Sequence, residues 1–123
     1  MATKYVLIGN SAASLAAVDG IRKYDKQGDI TLINREEGPA YSRVALPYYV
    51  AGEMTLDELL IRQKPDYGKM GVNLVEKENV TAIHPAVKQV ELASGKRVSY
   101  DKLLIGSGSE TIVPPIQDRK SVV

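Results

Sequence analysis

The 123-residue chain contains no cysteine. Disulfides, thiolate metal sites and a redox-active cysteine are therefore excluded within these residues. With a single histidine, His84, a histidine-rich metal centre is excluded as well. Because His84 precedes Pro85 in a strand-and-turn context, it reads as a surface or satisfied side chain rather than a catalytic one. Charge of one sign is also missing: sixteen Lys and Arg against fifteen Asp and Glu leave a formal net charge of +1. The basic residues are scattered rather than clustered on one face, so there is no electrostatic case for nucleic acid. Without a basic groove beside them, Tyr41, Tyr48 and Tyr49 read as packing groups, not as a base-stacking platform. No apolar run is long enough to cross a bilayer, and Met1-Ala2-Thr3-Lys4 leads into a strand rather than a signal peptide. The expectation is a cytoplasmic protein of one domain, large enough to bury a core, without membrane or nucleic-acid partners.

What is present begins at Lys4. The apolar run Tyr5-Val6-Leu7-Ile8 drops into Gly9-Asn10-Ser11-Ala12-Ala13-Ser14, and an amphipathic helix follows to Tyr24. A buried strand, a tight turn and a helix whose free N–H groups face outward is the order that a dinucleotide pyrophosphate requires, which points to FAD or NAD. The glycine fingerprint is partial. Gly9 is the first glycine of G-x-G-x-x-G, Ser11 stands at the second and Ser14 at the third. Serine is small enough for both positions, and the Ser11 hydroxyl could donate to a phosphate oxygen. The alternative is an ordinary turn with Ser11 as helix N-cap.

After Gly28, the run Asp29 to Ile33 reads as a second strand, so that Lys4 to Ile33 forms one βαβ unit. Dinucleotide sites place an acid just past this strand to hold a ribose hydroxyl. Glu36 is the preferred ribose ligand, with Asn34 as a neutral substitute; a solvated loop charge is the competing reading of Glu36. Gly38 to Arg43 is turn-rich. Pro47 opens or kinks a short helix ended by Gly52, Thr55 with Glu58 forms a capping box for the helix carrying Leu56, Leu59 and Leu60, and a further helix covers Pro65 to Met70. From Val72 onward the pattern is all strand: Val72 to Val75, Val80 to His84, Val87 to Leu92 and Arg97 to Tyr100, with Ala93-Ser94-Gly95-Lys96 as a hairpin turn. Lys102 to Ile105 is a second buried-type strand, stopped by Gly106-Ser107-Gly108-Ser109. The resulting class is α/β: a parallel sheet with flanking helices and a small antiparallel meander inserted before the last strand.

Three segments together carry a family resemblance: Val6 to Ala13, Tyr41-Ser42-Arg43-Val44-Ala45-Leu46-Pro47, and Tyr100 to Ser109 with Pro114-Pro115-Ile116. The chain resembles the FAD-dependent pyridine nucleotide-disulfide oxidoreductase superfamily, in particular its NADH oxidase, nitrite reductase and rubredoxin reductase-like group. That resemblance implies a Rossmann-like FAD-binding fold over residues 1–123. It also implies roles for individual residues. Gly9, Asn10, Ser11, Ala12 and Ala13 would wrap the FAD pyrophosphate, and Glu36, with Arg35, would meet the adenosine ribose. Arg43 would place a guanidinium near the pyrophosphate, where paired bonds to phosphate oxygens are available; a surface ion pair is its alternative. Val80 stands where backbone groups read the adenine edge, or else is simply core. Ser107 and Gly108 stand in the family's Ala-Thr-Gly motif, where the chain passes close to the cofactor, or else form a polar strand-ending turn.

Departures from the pattern narrow the expectation. Members that use a cysteine for thiol or peroxide chemistry carry it near Val44, which is aliphatic here. Tyr48 falls where ferredoxin-reductase-like members have a lysine near the flavin N5. The family continues with an NAD(P)H-binding domain and a C-terminal interface domain, neither of which lies within these residues. The expectation is therefore the N-terminal part of an FAD-binding domain from an NAD(P)H-dependent reductase, not competent for turnover alone. Its partners would be FAD, other redox subunits or a second copy. Two other classes remain: a module that binds an adenine nucleotide without turnover, and a fragment that self-associates through an exposed sheet edge.

Overall fold

The chain opens on strand β1, Lys4–Ile8, because Val6 and Leu7 can both be buried only by covering the two faces of a central strand. Helix α1, Ala12–Tyr24, follows, and its residues Ser14, Leu15 and Val18 turn one face onto the sheet. Strand β2, Asp29–Ile33, then α2, Leu46–Val50, α3, Leu56–Leu59, and α4, Lys64–Lys69, complete the first half. The second half is β3, Val72–Val75, β4, Val80–His84, β5, Gln89–Leu92, β6, Arg97–Ser99, and β7, Lys102–Ile105. The computed structural model describes residues 2–38, 40–41, 45–60 and 64–108.

Four strands form a parallel sheet in the order β3-β2-β1-β7, and β4-β5-β6 form an antiparallel sheet. This is the Rossmann-like α/β arrangement expected. The run Val72 to Val75, read from the sequence only as a strand, belongs to the parallel sheet, paired with Ile30 to Ile33. The physical reason is the α4 crossover, which returns the chain in the same direction as β2. The meander is shorter than the sequence suggested: Val87 lies in the turn before β5, 60% exposed.

Side-chain alternation divides the core into two clusters. Leu7, Ile30, Leu32 and Val72 face Leu15 and Val18 of α1 and Tyr67 of α4, while Val6 and Ile33 face Val90 and Leu92 of the antiparallel sheet. Three layers result, helices on one face and the small sheet on the other. Ile30, Leu32 and Ile33 are each at most 1% exposed, and burial of such a side chain is worth about 1.5–3 kcal/mol.

Local chemistry fixes the ends. The capping box forms as read: Glu58 N–H donates to Thr55 Oγ1 at 3.3 Å and Thr55 N–H donates to Glu58 Oε1 at 3.2 Å. Arg22, in the last turn of α1, donates to the carbonyls of Met70 at 2.6 Å and Gly71 at 3.2 Å, tying the end of α4 to α1. Tyr5 donates its hydroxyl to Asp25 Oδ2 at 2.8 Å, and the amides of Gln27 and Gly28 donate to Asp25 Oδ1. The Tyr5 bond first, then those two amides, hold the Asp25 carboxyl below the usual carboxylate range, and the same pairing raises the Tyr5 phenol. On the antiparallel sheet, Glu91 receives His84 Nε2 at 3.1 Å and Arg97 at 3.3 Å, so His84 is a satisfied surface side chain. Among the described residues no helix is long and apolar enough to cross a membrane, and no three His, Asp or Glu group as metal ligands.

Candidate functional site

The strand order sets the site. From β1 the chain goes by way of α1 to β2 on one side, while β7 pairs with β1 on the other, so β1 and β7 are adjacent parallel strands far apart in the sequence. Parallel α/β sheets bind ligands in the crevice that opens at the C-terminal ends of such a pair. Here that crevice is a cleft of about 560 Å³. Its floor is Ile8, Ile33 and Ile105, the last residues of three parallel strands.

Most of the expected residues converge on it. Gly9, Asn10 and Ser11 come from the loop after β1, Asn34 and Arg35 from the end of β2, Val80 from the start of β4, and Ser107 and Gly108 from the end of β7. Ala12 and Ala13 form the first turn of α1 directly behind Ser11. Ser11 occupies the N-cap position with extended backbone, yet its side chain makes no capping bond, and the first turn holds no acidic residue. The N–H groups opening α1 are thus left without a side-chain cap, next to the positive end of the helix dipole. Arg35, exposed at the cleft, adds a formal positive charge.

Gly9 is held from both sides. Its N–H donates to Ile33 O at 2.8 Å, while the Gly106 N–H donates to Ile8 O at 2.8 Å. A Cβ on Gly9, whose φ is +103°, would lie 2.3 Å from the Gly106 carbonyl oxygen. The first glycine of the fingerprint is therefore demanded by the neighbouring strand as well as by the turn.

Ser14, at the third glycine position, is completely buried, and its hydroxyl has no hydrogen-bond partner. A Cβ on Gly106 would lie 3.2 Å from Ser14 Oγ, so the missing side chain on Gly106 makes room for the one on Ser14. An unpaired buried hydroxyl carries a desolvation cost of about 1–3 kcal/mol. Ser14→Ala is expected to raise the unfolding free energy by about 1 kcal/mol, read as a higher urea midpoint at unchanged slope; a lower midpoint would mean that the hydroxyl has a bonding role.

Other expected residues lie elsewhere. Glu36 is outside the cleft lining, its Oε2 accepting from Tyr41 Oη at 3.1 Å. The backbone explains this: Asn34 Oδ1 accepts the Glu36 N–H at 3.3 Å and Glu36 O accepts the Lys77 N–H at 3.2 Å, turning the segment toward the end of β3. Tyr48, on α2, is 57% exposed and does not line the cleft. Arg43 is outside the described residues.

Sequence reading missed Glu78, Asn79, Ile83 and Gly106, which complete the lining. Glu78 is placed by its N–H, which donates to Asn34 O at 3.0 Å. Its adjacency to Val80 was the available signal. Also missed was the use of the Asn10 side chain, 6% exposed, which accepts from Tyr67 Oη at 2.8 Å through Oδ1.

The family model for pyridine nucleotide-disulphide oxidoreductases matches residues 3–123. The chain is 35% identical over 114 residues to the NADH-dependent phenylglyoxylate dehydrogenase subunit epsilon of Aromatoleum evansii, covering 93% of this chain and 27% of that one. It is also 35% identical over 107 residues to the NADH-rubredoxin oxidoreductase of Clostridium acetobutylicum, covering 87% of this chain and 28% of the relative. Among solved structures, putidaredoxin reductase in its covalent complex with putidaredoxin superposes with a TM-score of 0.87 at 26% identity, covering 94% of this chain and 28% of that one. The chain spans about a quarter of the length of these relatives.

Proposed function

The chain belongs to the pyridine nucleotide-disulphide oxidoreductase family, and from that premise we propose that residues 1–123 are the N-terminal part of an FAD-binding domain that holds the ADP half of FAD in the cleft. The observation that carries this reading is the convergence on one crevice of the uncapped start of α1 with the backbones of Gly9 and of Gly106 to Gly108. This donor set fits a pyrophosphate: backbone N–H groups at a helix start, a free serine hydroxyl, and side chains that are small or absent at close approach.

Each residue has a role in that reading. The Ala12 and Ala13 amides and the Ser11 hydroxyl would donate to phosphate oxygens, and Arg35 would offset the remaining negative charge. Asn34 and Glu78, which share a backbone bond at the end of β2, would flank the ribose. Val80 would present backbone groups to the adenine edge. Gly106, Ser107 and Gly108 would guide the cofactor along the end of β7, where a side chain on Gly106 would meet Ala13 and Ser14. Bound FAD would supply the redox chemistry, accepting a hydride from a nicotinamide and passing electrons on.

For the whole protein we propose an NAD(P)H-dependent flavoprotein reductase that hands electrons to a separate protein. The names of its relatives support this, since they include a dehydrogenase subunit, a rubredoxin oxidoreductase and a nitrate reductase electron transfer subunit. The test is the visible absorption spectrum of the purified chain before and after incubation with FAD and desalting. Flavin bands that survive desalting are expected. A colourless protein after loading would refute cofactor binding by these residues.

A further inference from the structure

Asn10 lines the cleft, yet its side chain is committed elsewhere. Its Oδ1 accepts a hydrogen bond from Tyr67 Oη at 2.8 Å, and its Nδ2 donates to Gly38 O at 3.4 Å. Tyr67 Oη in turn accepts the Ala40 N–H at 2.9 Å. One phenol oxygen therefore joins three segments far apart in the chain: the loop after β1, the loop after β2, and α4. Tyr67 is 6% exposed, Asn10 6% and Ala40 1%, so water does not compete for these bonds. The ring itself packs in the helix-side core with Leu7, Leu32 and Val72, which fixes where the hydroxyl points.

Resting on the FAD-binding reading above, we infer that Tyr67 is a positioning residue for the nucleotide cleft, holding the β1 loop in its ligand-ready form through Asn10 without touching the ligand. Asn10 lies between Gly9, wedged against Gly106, and Ser11, the N-cap of α1. Any rotation of Asn10 would swing the amides and hydroxyl that follow it. The aromatic body of Tyr67 would satisfy the core equally well as phenylalanine, so its hydroxyl serves the loops and not the packing. Without it, two buried polar groups, Asn10 Oδ1 and Ala40 N–H, lose their partner and must find others by moving.

The test compares the full chain with Tyr67→Phe and with Tyr5→Phe, which removes the same kind of hydroxyl at the opposite end of β1. Hydrogen exchange by mass spectrometry reads the loops, and a flavin fluorescence titration reads FAD affinity. Tyr67→Phe is expected to speed exchange in peptides covering residues 9–15 and 36–41, to leave residues 88–99 unchanged, and to weaken FAD binding about tenfold. Tyr5→Phe is expected to leave the affinity within twofold. Unchanged loop exchange in Tyr67→Phe, an affinity within twofold of wild type, or an equal loss in Tyr5→Phe would each overturn the inference. A wild-type chain that does not bind FAD would refute the binding reading itself, and is recognised because the failure precedes any substitution.

Discussion

Gly9→Ala will lower the unfolding free energy by about 2–5 kcal/mol, while Gly20→Ala, eleven positions further along the chain, in α1, will raise it by about 0.5–1 kcal/mol. At Gly9 two costs add. A β-carbon there would stand 2.3 Å from the Gly106 carbonyl oxygen and 2.8 Å from its carbonyl carbon, both backbone atoms that cannot rotate away. Pushing β7 aside would break the pairing of Ile8 with Ile105 next to it, an overpacking cost of about 1–3 kcal/mol. The backbone at φ +103° is also one that L-residues resist, adding roughly 1–2 kcal/mol. Gly20 has nothing within 4 Å of its would-be β-carbon and stands on the exposed side of a helix, so alanine gains there by restricting the unfolded chain. Urea unfolding monitored by circular dichroism gives both values. A Gly9→Ala loss under 1 kcal/mol would show that β1 and β7 do not approach this closely.

The strand-loop-helix-strand opening was legible because every signal in it is local. The apolar run of β1, the small residues after it, the spacing of Leu15, Val18 and Ile21, and the Gly28 stop all act within one βαβ unit. The Thr55–Glu58 box was equally readable, being a contact between residues three apart. The partner of β3 was not, since Val72 to Val75 has the same composition whether it joins a meander or extends a parallel sheet. The site follows the same division. Gly9, Ser11, Asn34, Val80 and Ser107 meet because strand ends bring them together; Gly9, Ser11 and Asn34 were marked by their place after a strand, Val80 and Ser107 by the family resemblance. Glu36 has the right residue type two positions past Asn34, but the turn made by Asn34 directs it to Tyr41. Tyr67 lies 57 residues from Asn10, and no pattern along the chain could pair them.

Ser11→Asp separates the stability of the loop from its affinity for phosphate, and the two are expected to move in opposite directions. In the chain alone aspartate suits the position: the backbone is extended, as an N-cap requires, the existing side chain makes no capping bond, and the first turn of α1 has no acid to repel. A carboxylate there would accept a helix N–H and meet the positive end of the dipole, raising stability by about 0.3–1 kcal/mol. For a pyrophosphate the same carboxylate is hostile. Two unit charges about 4 Å apart at a partly solvated site repel by roughly 4 kcal/mol, and the carboxylate also takes the N–H group the phosphate needs. Solvent at the open cleft reduces the penalty, which leaves FAD affinity about 100-fold weaker. Ser11→Gly is the companion variant. It restores the second glycine of the fingerprint and is expected to keep affinity within about threefold, because the backbone amides supply most of the binding. Flavin fluorescence titrations and urea melts of the three proteins measure both quantities. An aspartate variant as stable as wild type that still bound FAD within threefold would place the phosphates somewhere other than the start of α1.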